Sequence, residues 1–249
     1  MNTIVRCIAP IISVFLQLSS LNTALLIQRE KCTFQFSNFP FISLYTNSAI
    51  WAMYGCLRKD IYVFTPNFSG FLIGFSSACI FMINDSNNHQ FPTVSYTASF
   101  SCLILTLMFS VLNKIVYIGV LGNFLAVIVL GSPLATLKTV FERKSTASMP
   151  FSTSLLCFLN ALAWVLYGVV VVNDPLIYTP NLCGCILSLV QLIMFCVFGI
   201  ANENADELDS LEEKYAARHK YYQDQEFHYD YSSTDRTDDE QVSECENEC

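Results

Sequence analysis

Charge is scarce in this chain. Charged residues make up 14% of the 249, against 53% hydrophobic, where a soluble domain carries roughly 25% charged. That excludes an ordinary soluble domain and leaves a body built for lipid. Nothing in it resembles the basic stripe that nucleic acid requires. Histidines are few, and none lies in an apolar run: His89, His219 and His228 all fall outside. No acid lies well inside an apolar run either, since Asp60 and Asp174 stand at ends. Proton-driven carriers depend on carboxylates or histidines within the membrane. Intramembrane hydrolases need a Ser–His–Asp or paired-acid set. Neither chemistry has its groups here, so no catalytic residue is expected. Cys-x-x-Cys pairs are missing too, although the chain has 11 cysteines. Most stand singly in apolar runs, as Cys7, Cys79, Cys102, Cys157 and Cys196 do, which suits buried packing rather than zinc. No metal or cofactor is expected.

Long apolar runs are what the chain does have. A helix needs about 20 apolar residues to cross a bilayer, and seven runs qualify: 4–27, 39–57, 62–83, 93–112, 117–137, 150–172 and 175–200. The first is read as a spanning helix rather than a signal peptide, because it is long and ends in the basic "QREK". Charge is divided unevenly. Residues 1–198 hold nine Lys/Arg against five Asp/Glu, and residues 199–249 hold four against sixteen. The low pI therefore describes a tail, 201–249, expected to be cytosolic, acidic and largely disordered. With the N-terminus outside, inner loops hold five Lys/Arg and outer segments four, and counting Lys214, Arg218 and Lys220 of the proximal tail makes it eight against four, in keeping with the positive-inside rule.

The second feature is an internal repeat. At an offset of 113, Asn47, Trp51, Tyr54 and Gly55 meet Asn160, Trp164, Tyr167 and Gly168. At 114, Asp60, Thr65, Pro66, Asn67 and Gly70 meet Asp174, Thr179, Pro180, Asn181 and Gly184. One residue of slack is placed in the intervening loop. The unit holds three helices, and a seventh helix without the motif lies between the copies and restores their direction. The fold class expected is therefore an all-α membrane protein of seven helices, two parallel three-helix bundles joined by a linker helix (3+1+3), one of the known transporter plans. The expected units are 1–92, a linker 93–114, and 115–200.

Within each unit Asn, Trp and Tyr are spaced i, i+4, i+7, on one helix face. Polar groups inside a membrane face a cavity or another helix. Two such faces opposed, with the amides of Asn67 and Asn181 added, would surround a central axis. Gln191, a lone amide deep in the last run, is expected to bond between helices. Asp174 also suits the cap of the helix opening at Pro175.

These residues resemble the SWEET (MtN3/saliva) sugar transporters. The second half resembles them strongly in "GSPLATLKTVFERKSTASMPFSTSLLCFLNALAWVLYG" and "DPLIYTPNLCGCILSLVQLIMF"; the first does so in "FPFISLYTNSAIWAMYG" and "DIYVFTPNFSGFLIG". The resemblance implies a bidirectional, facilitative sugar uniporter working by alternating access, and not an enzyme. It implies that Asn67 and Asn181 bond sugar hydroxyls, that Trp164 stacks on the ring, and that Trp51 and Asn47 line the cavity. It implies an extracellular gate of Tyr54 and Asp174 and inner-gate hinges at Pro40, Pro133 and Pro150. The first helix departs from the family, with Ser20 where a proline is expected. A hexose is the expected cargo. The expected partners are a mono- or disaccharide, the lipid bilayer of the plasma membrane (an internal membrane being the alternative) and further copies of the chain. The competing readings are a PQ-loop-type carrier or sorting receptor for a non-sugar ligand, and a seven-helix signalling receptor. The chain has no Pro-Gln pair, no "DRY" and no "NPxxY".

Overall fold

The computed structural model describes residues 2–31, 33, 36–85, 93–147 and 149–200; the acidic tail lies outside the described residues. Its elements are α1 (Asn2–Glu30), α2 (Phe39–Arg58), α3 (Ile61–Asn84), α4 (Thr93–Val111), α5 (Ile115–Val129), α6 (Gly131–Arg143), α7 (Phe151–Leu166), a π turn (Tyr167–Val171) and α8 (Pro175–Phe198). Six spans among the described residues are long and apolar enough to cross a membrane, α5 with α6 counting as one of 29 residues. The seventh, α2, has 20 residues, about 30 Å at 1.5 Å per residue. Its mean hydropathy is lowered by the polar Thr46, Asn47 and Ser48. The expected all-α plan of seven helices in a 3+1+3 order is the fold observed.

The repeat is written into the backbone. α1 begins and ends 113 residues before the α5–α6 pair does, and α3 begins and ends 114 before α8. The residues closing α1 and α6, Lys31 and Lys144, both turn left-handed at φ 55° and 53°. Lys59 and Asn173, ahead of α3 and α8, do the same at φ 57° and 50°. Asp60 and Asp174 then cap those helices, accepting from the N–H of Tyr62 and Val63 and of Leu176, the role an N-cap carboxylate plays.

Two sequence expectations need correction. The residue of slack is not held in a loop. It is taken up inside the helix, where the π turn Tyr167–Val171 replaces the α-helical end of α2. A π turn closes over one more residue than an α turn, so Gly55 and Gly168 stay 113 apart while Asp60 and Asp174 stand 114 apart. The fifth run is also not one straight helix. It breaks at Leu130, three residues before Pro133, whose ring leaves Val129's carbonyl without its helical donor.

Helix crossings are tight at the repeat's first glycine pair. A Cβ at Gly55 would lie 2.7 Å from the backbone nitrogen of Phe64, and one at Gly168 would lie 2.8 Å from Tyr178 Cβ. The largest apolar cluster joins both halves near the ends of α2 and α7: Ala9, Ile50, Trp51 and Tyr54 with Ile118, Trp164, Tyr167 and Ile177. Elsewhere large apolar side chains face outward, such as Val94 at 84% and Val111 at 85% exposed, as a surface turned to lipid tails does.

Candidate functional site

A cavity of about 530 Å³ lies between the halves, within the roughly 300–1,000 Å³ typical of small-molecule sites. The structure brings all five expected substrate residues, Asn47, Trp51, Asn67, Trp164 and Asn181, to its wall. No Asp, Glu, Lys, Arg or His lines it among the described residues. Asn67 and Asn181 are held alike. Each donates an amide hydrogen to the carbonyl four residues back in its own helix, Val63 and Ile177, at 2.8 Å. The amide thereby braces the turn that its neighbouring proline loosens. Its carbonyl oxygen and second N–H stay available.

The tryptophans connect this level to the closed end. Trp51 meets Tyr54 edge-on with ring centres 5.4 Å apart, and Trp164 meets Tyr167 at the same separation. Tyr54 then crosses to the other half, its hydroxyl donating to Asp174 Oδ2 at 2.6 Å. Tyr167 crosses the opposite way, donating to Asp60 Oδ1 and Oδ2 at 2.7 and 2.6 Å. The sequence reading foresaw the first pair and missed its mate. The signal was present, because Tyr167 and Asp60 are the repeat partners of Tyr54 and Asp174. Asp174 is buried, and Arg58 Nη2 reaches its Oδ2 at 3.1 Å. Charge-assisted bonds of this kind are short and strong. They seal one end of the cavity.

The opposite end is lined by Pro133, Thr136, Met149 and Pro150. Two expected hinge prolines, Pro133 and Pro150, therefore border the cavity. Pro40 does not; it is exposed in the first turn of α2. α1 runs unbroken through Ser20. Gln191, expected to bond between helices, lines the cavity beside Ser188. Ser13 and Gln17, which sequence reasoning did not single out, also line it. Nothing in their own stretch marks them; only the fold carries α1 to this wall.

A family model described as "Sugar efflux transporter for intercellular exchange" matches residues 3–89 and 116–203. The chain belongs to this family, the SWEET transporters. Among its relatives, the Bidirectional sugar transporter SWEET7 of Arabidopsis thaliana is 30% identical over 206 residues, covering 78% of this chain and 80% of that one. The Sugar transporter SWEET1 of Drosophila pseudoobscura pseudoobscura is 27% identical, covering 68% and 77%. The Bidirectional sugar transporter SWEET1b of Oryza sativa subsp. indica is 29% identical, covering 76% of each. The solved structure of a eukaryotic SWEET transporter superposes with a TM-score of 0.66 at 24% identity, covering 79% of this chain and 96% of that one; it shares the SWEET fold. The segment between the two matched blocks holds α4.

Proposed function

We propose that this SWEET chain is a bidirectional, facilitative sugar carrier working by alternating access, with a hexose as its cargo. The observation that carries the reading is the uncharged wall of paired amides and indoles. Neutral polyhydroxylated rings need donors and acceptors for hydroxyls and flat aromatic faces for their C–H surfaces. An amino acid or an ion would require buried countercharges, which this wall lacks among its described residues. The names of the relatives point the same way. The matched family is one of sugar transporters, and the chain is read as a carrier and not an enzyme.

Asn67 and Asn181 take the role of bonding sugar hydroxyls from opposite halves, Trp164 that of stacking on the ring, and Trp51 and Asn47 that of the facing wall. The transport halves are taken as 1–92 and 115–200, with 93–114 as linker. With the N-terminus outside and the tail in the cytosol, the Tyr–Asp end is the extracellular gate, and Pro133 and Pro150 border the cytosolic path. The carrier is placed in the plasma membrane, associating with copies of itself. Purified protein in liposomes tests the reading. Labelled glucose should equilibrate without concentrating, at the same rate with the proton gradient collapsed. Concentrative uptake abolished by an uncoupler, or no glucose movement while an amino acid moves, would overturn it. Sucrose run alongside decides between one ring and two.

A further inference from the structure

The two halves share a backbone plan, but they do not treat their cavity amides alike. Ser13 of α1 donates its hydroxyl to Asn160 Oδ1 at 2.8 Å and accepts from the indole N–H of Trp164 at 2.8 Å. One hydroxyl therefore fixes both the second-half amide and the second-half indole. The position 113 residues on from Ser13, by the offset that relates the ends of α1 to those of α5 and α6, is Ala126. Ala126 lines the same cavity and has no hydroxyl to give. One turn earlier on α5, Gly122 lies flat against Trp51: a Cβ there would come within 2.9 Å of the indole. The first-half amide is correspondingly unlocked. Asn47 Oδ1 is buried without a partner, and no hydrogen bond among the described residues holds its side chain. Asn160 Oδ1 has its partner.

A carbonyl left in that condition is costly and seeks a donor. Asn47 is free to swing because nothing tethers its amide, and a half-turn about its terminal torsion exchanges the end that faces the cavity. Asn160 has no such freedom. Its oxygen is held toward Ser13, which takes one of its two lone pairs, and turning the N–H₂ into that place would cost the bond. The pseudo-symmetric wall is therefore asymmetric in hydrogen-bond sense.

Resting on the sugar-carrier reading, we infer that the site reads its sugar from one side: a ring hydroxyl donates to Asn47, which Ala126 leaves unlocked, while Ser13 acts as a positioning residue that sets Trp164 and Asn160 as a fixed wall. Ser13 never touches the sugar in this scheme; it acts through the indole it holds. Ala126 determines specificity by what it withholds.

Three measurements on the full-length carrier test this. Ala126→Ser supplies to Asn47 the hydroxyl that Asn160 already has, so KM for glucose exchange should rise by roughly 5- to 10-fold, the effect of one competing hydrogen bond. Ala126→Cys, similar in size but a weak donor, should raise KM less than Ala126→Ser does. An unchanged KM in Ala126→Ser, or an equal rise in Ala126→Cys, overturns the inference. Next, a panel of monodeoxyglucoses should reveal one position whose deletion weakens binding in wild type, with no further loss in Asn47→Ala but the full loss in Asn160→Ala. The reverse pattern overturns it. Last, Trp51→Phe leaves Trp164 as the one indole of a chain that has two. In that background Ser13→Ala should shift Trp164 emission and Ser13→Thr should restore it; unmoved emission overturns the lock. This last readout needs no transported sugar. If wild type moves no sugar at all, the carrier reading falls by itself, and the emission still judges the Ser13–Trp164 contact.

Discussion

Replacing Tyr54 with phenylalanine removes one oxygen from the sealed end and leaves the ring where it packs. The lost bond, 2.6 Å from hydroxyl to the carboxylate of Asp174, is charge-assisted, a class worth about 1.5–3 kcal/mol. Asp174 is not stranded, because Arg58 remains at 3.1 Å and the Leu176 N–H still donates to Oδ1. The lower end of the range applies, about 1.5 kcal/mol, so the population with this gate open should rise roughly tenfold. Tyr167→Phe removes a hydroxyl shared by both oxygens of Asp60, which then keeps only the N–H groups of its helix cap. Its effect should equal or exceed that of Tyr54→Phe. If the two bonds act independently, the double variant opens the gate about a hundredfold. Cys157 reports this directly, because it lines the cavity beyond the gate. In a background where it is the sole cysteine, an impermeant thiol reagent added outside should label it about ten times faster in either single variant than in the parent. Removing Cys56 matters, since it is exposed on α2 two residues past Tyr54. Labelling from outside at the parental rate in both single variants and in the double would refute the reasoning. The Tyr–Asp pairs would then be packing details and not a gate.

Asn67→Ala and Asn181→Ala should each weaken sugar binding by roughly 5- to 150-fold, the cost of about 1–3 kcal/mol for a bond lost in a dry site, while surface expression holds; normal transport in both would make the amides structural glue. Pro133→Ala returns a donor to the Val129 carbonyl, so the break at Leu130 should straighten and the exchange rate should fall with KM unchanged; an unchanged rate removes Pro133 from the moving parts. Ala placed at Asp60 removes both a helix cap and a gate acceptor, so it should lower thermal stability by about 0.5–2 kcal/mol beyond whatever Tyr167→Phe costs; equal stability in the two variants would mean that the cap contributes nothing.

How much of this was legible in the sequence follows from what each feature depends on. Membrane spans depend on local composition, and seven apolar runs gave seven crossings. The repeat depends on identity at fixed offsets, and it placed Asn47, Trp51 and Asn67 opposite Asn160, Trp164 and Asn181 before any coordinate. The resemblance implied Tyr54 with Asp174, and the repeat offsets carry that pair onto Tyr167 and Asp60. The π turn was not available. An extra residue between Gly168 and Asp174 is visible, but whether it loops out or winds in is decided by packing against Tyr178 and by the need to bring Asp174 under Tyr54. Ser13 and Gln17 were invisible for a different reason. A serine and a glutamine in an apolar helix carry no periodic mark, and their roles arise from contacts with residues more than a hundred and about fifty positions away respectively.

The departures from symmetry between α1 and α3 have a mechanical consequence. Gln17 donates to the Pro66 carbonyl at 3.0 Å and accepts from Ser69 at 3.0 Å, tying α1 to the bend in α3. Nearer the open end, Asn84 donates to Gln28 at 2.8 Å and ties the same two helices again. The repeat mates of these four residues are Leu130, Cys183, Phe198 and Phe141, none of which can form such a bond. In their place Lys144 lies over Phe141 at 4.0 Å and over Phe198 at 5.4 Å. Hydrogen bonds fix a relative position, whereas apolar and cation–π contacts tolerate sliding, because neither fixes a donor to an acceptor. The first half therefore has its two cavity-lining helices clasped at two levels, along an α1 that is continuous through Ser20. The second half lacks these two ties among the described residues; there Thr146 donates to the Gly199 carbonyl at 2.9 Å, just past the ends of α6 and α8, and the span is interrupted at Leu130. We therefore expect motion at the open end to be easier on the side of α5, α6 and α8, where the interruption and the apolar contacts coincide. Family resemblance implies hinges on both halves; we propose that the second half moves more, and equal effects of Pro133→Ala and Pro40→Ala on the exchange rate would refute it.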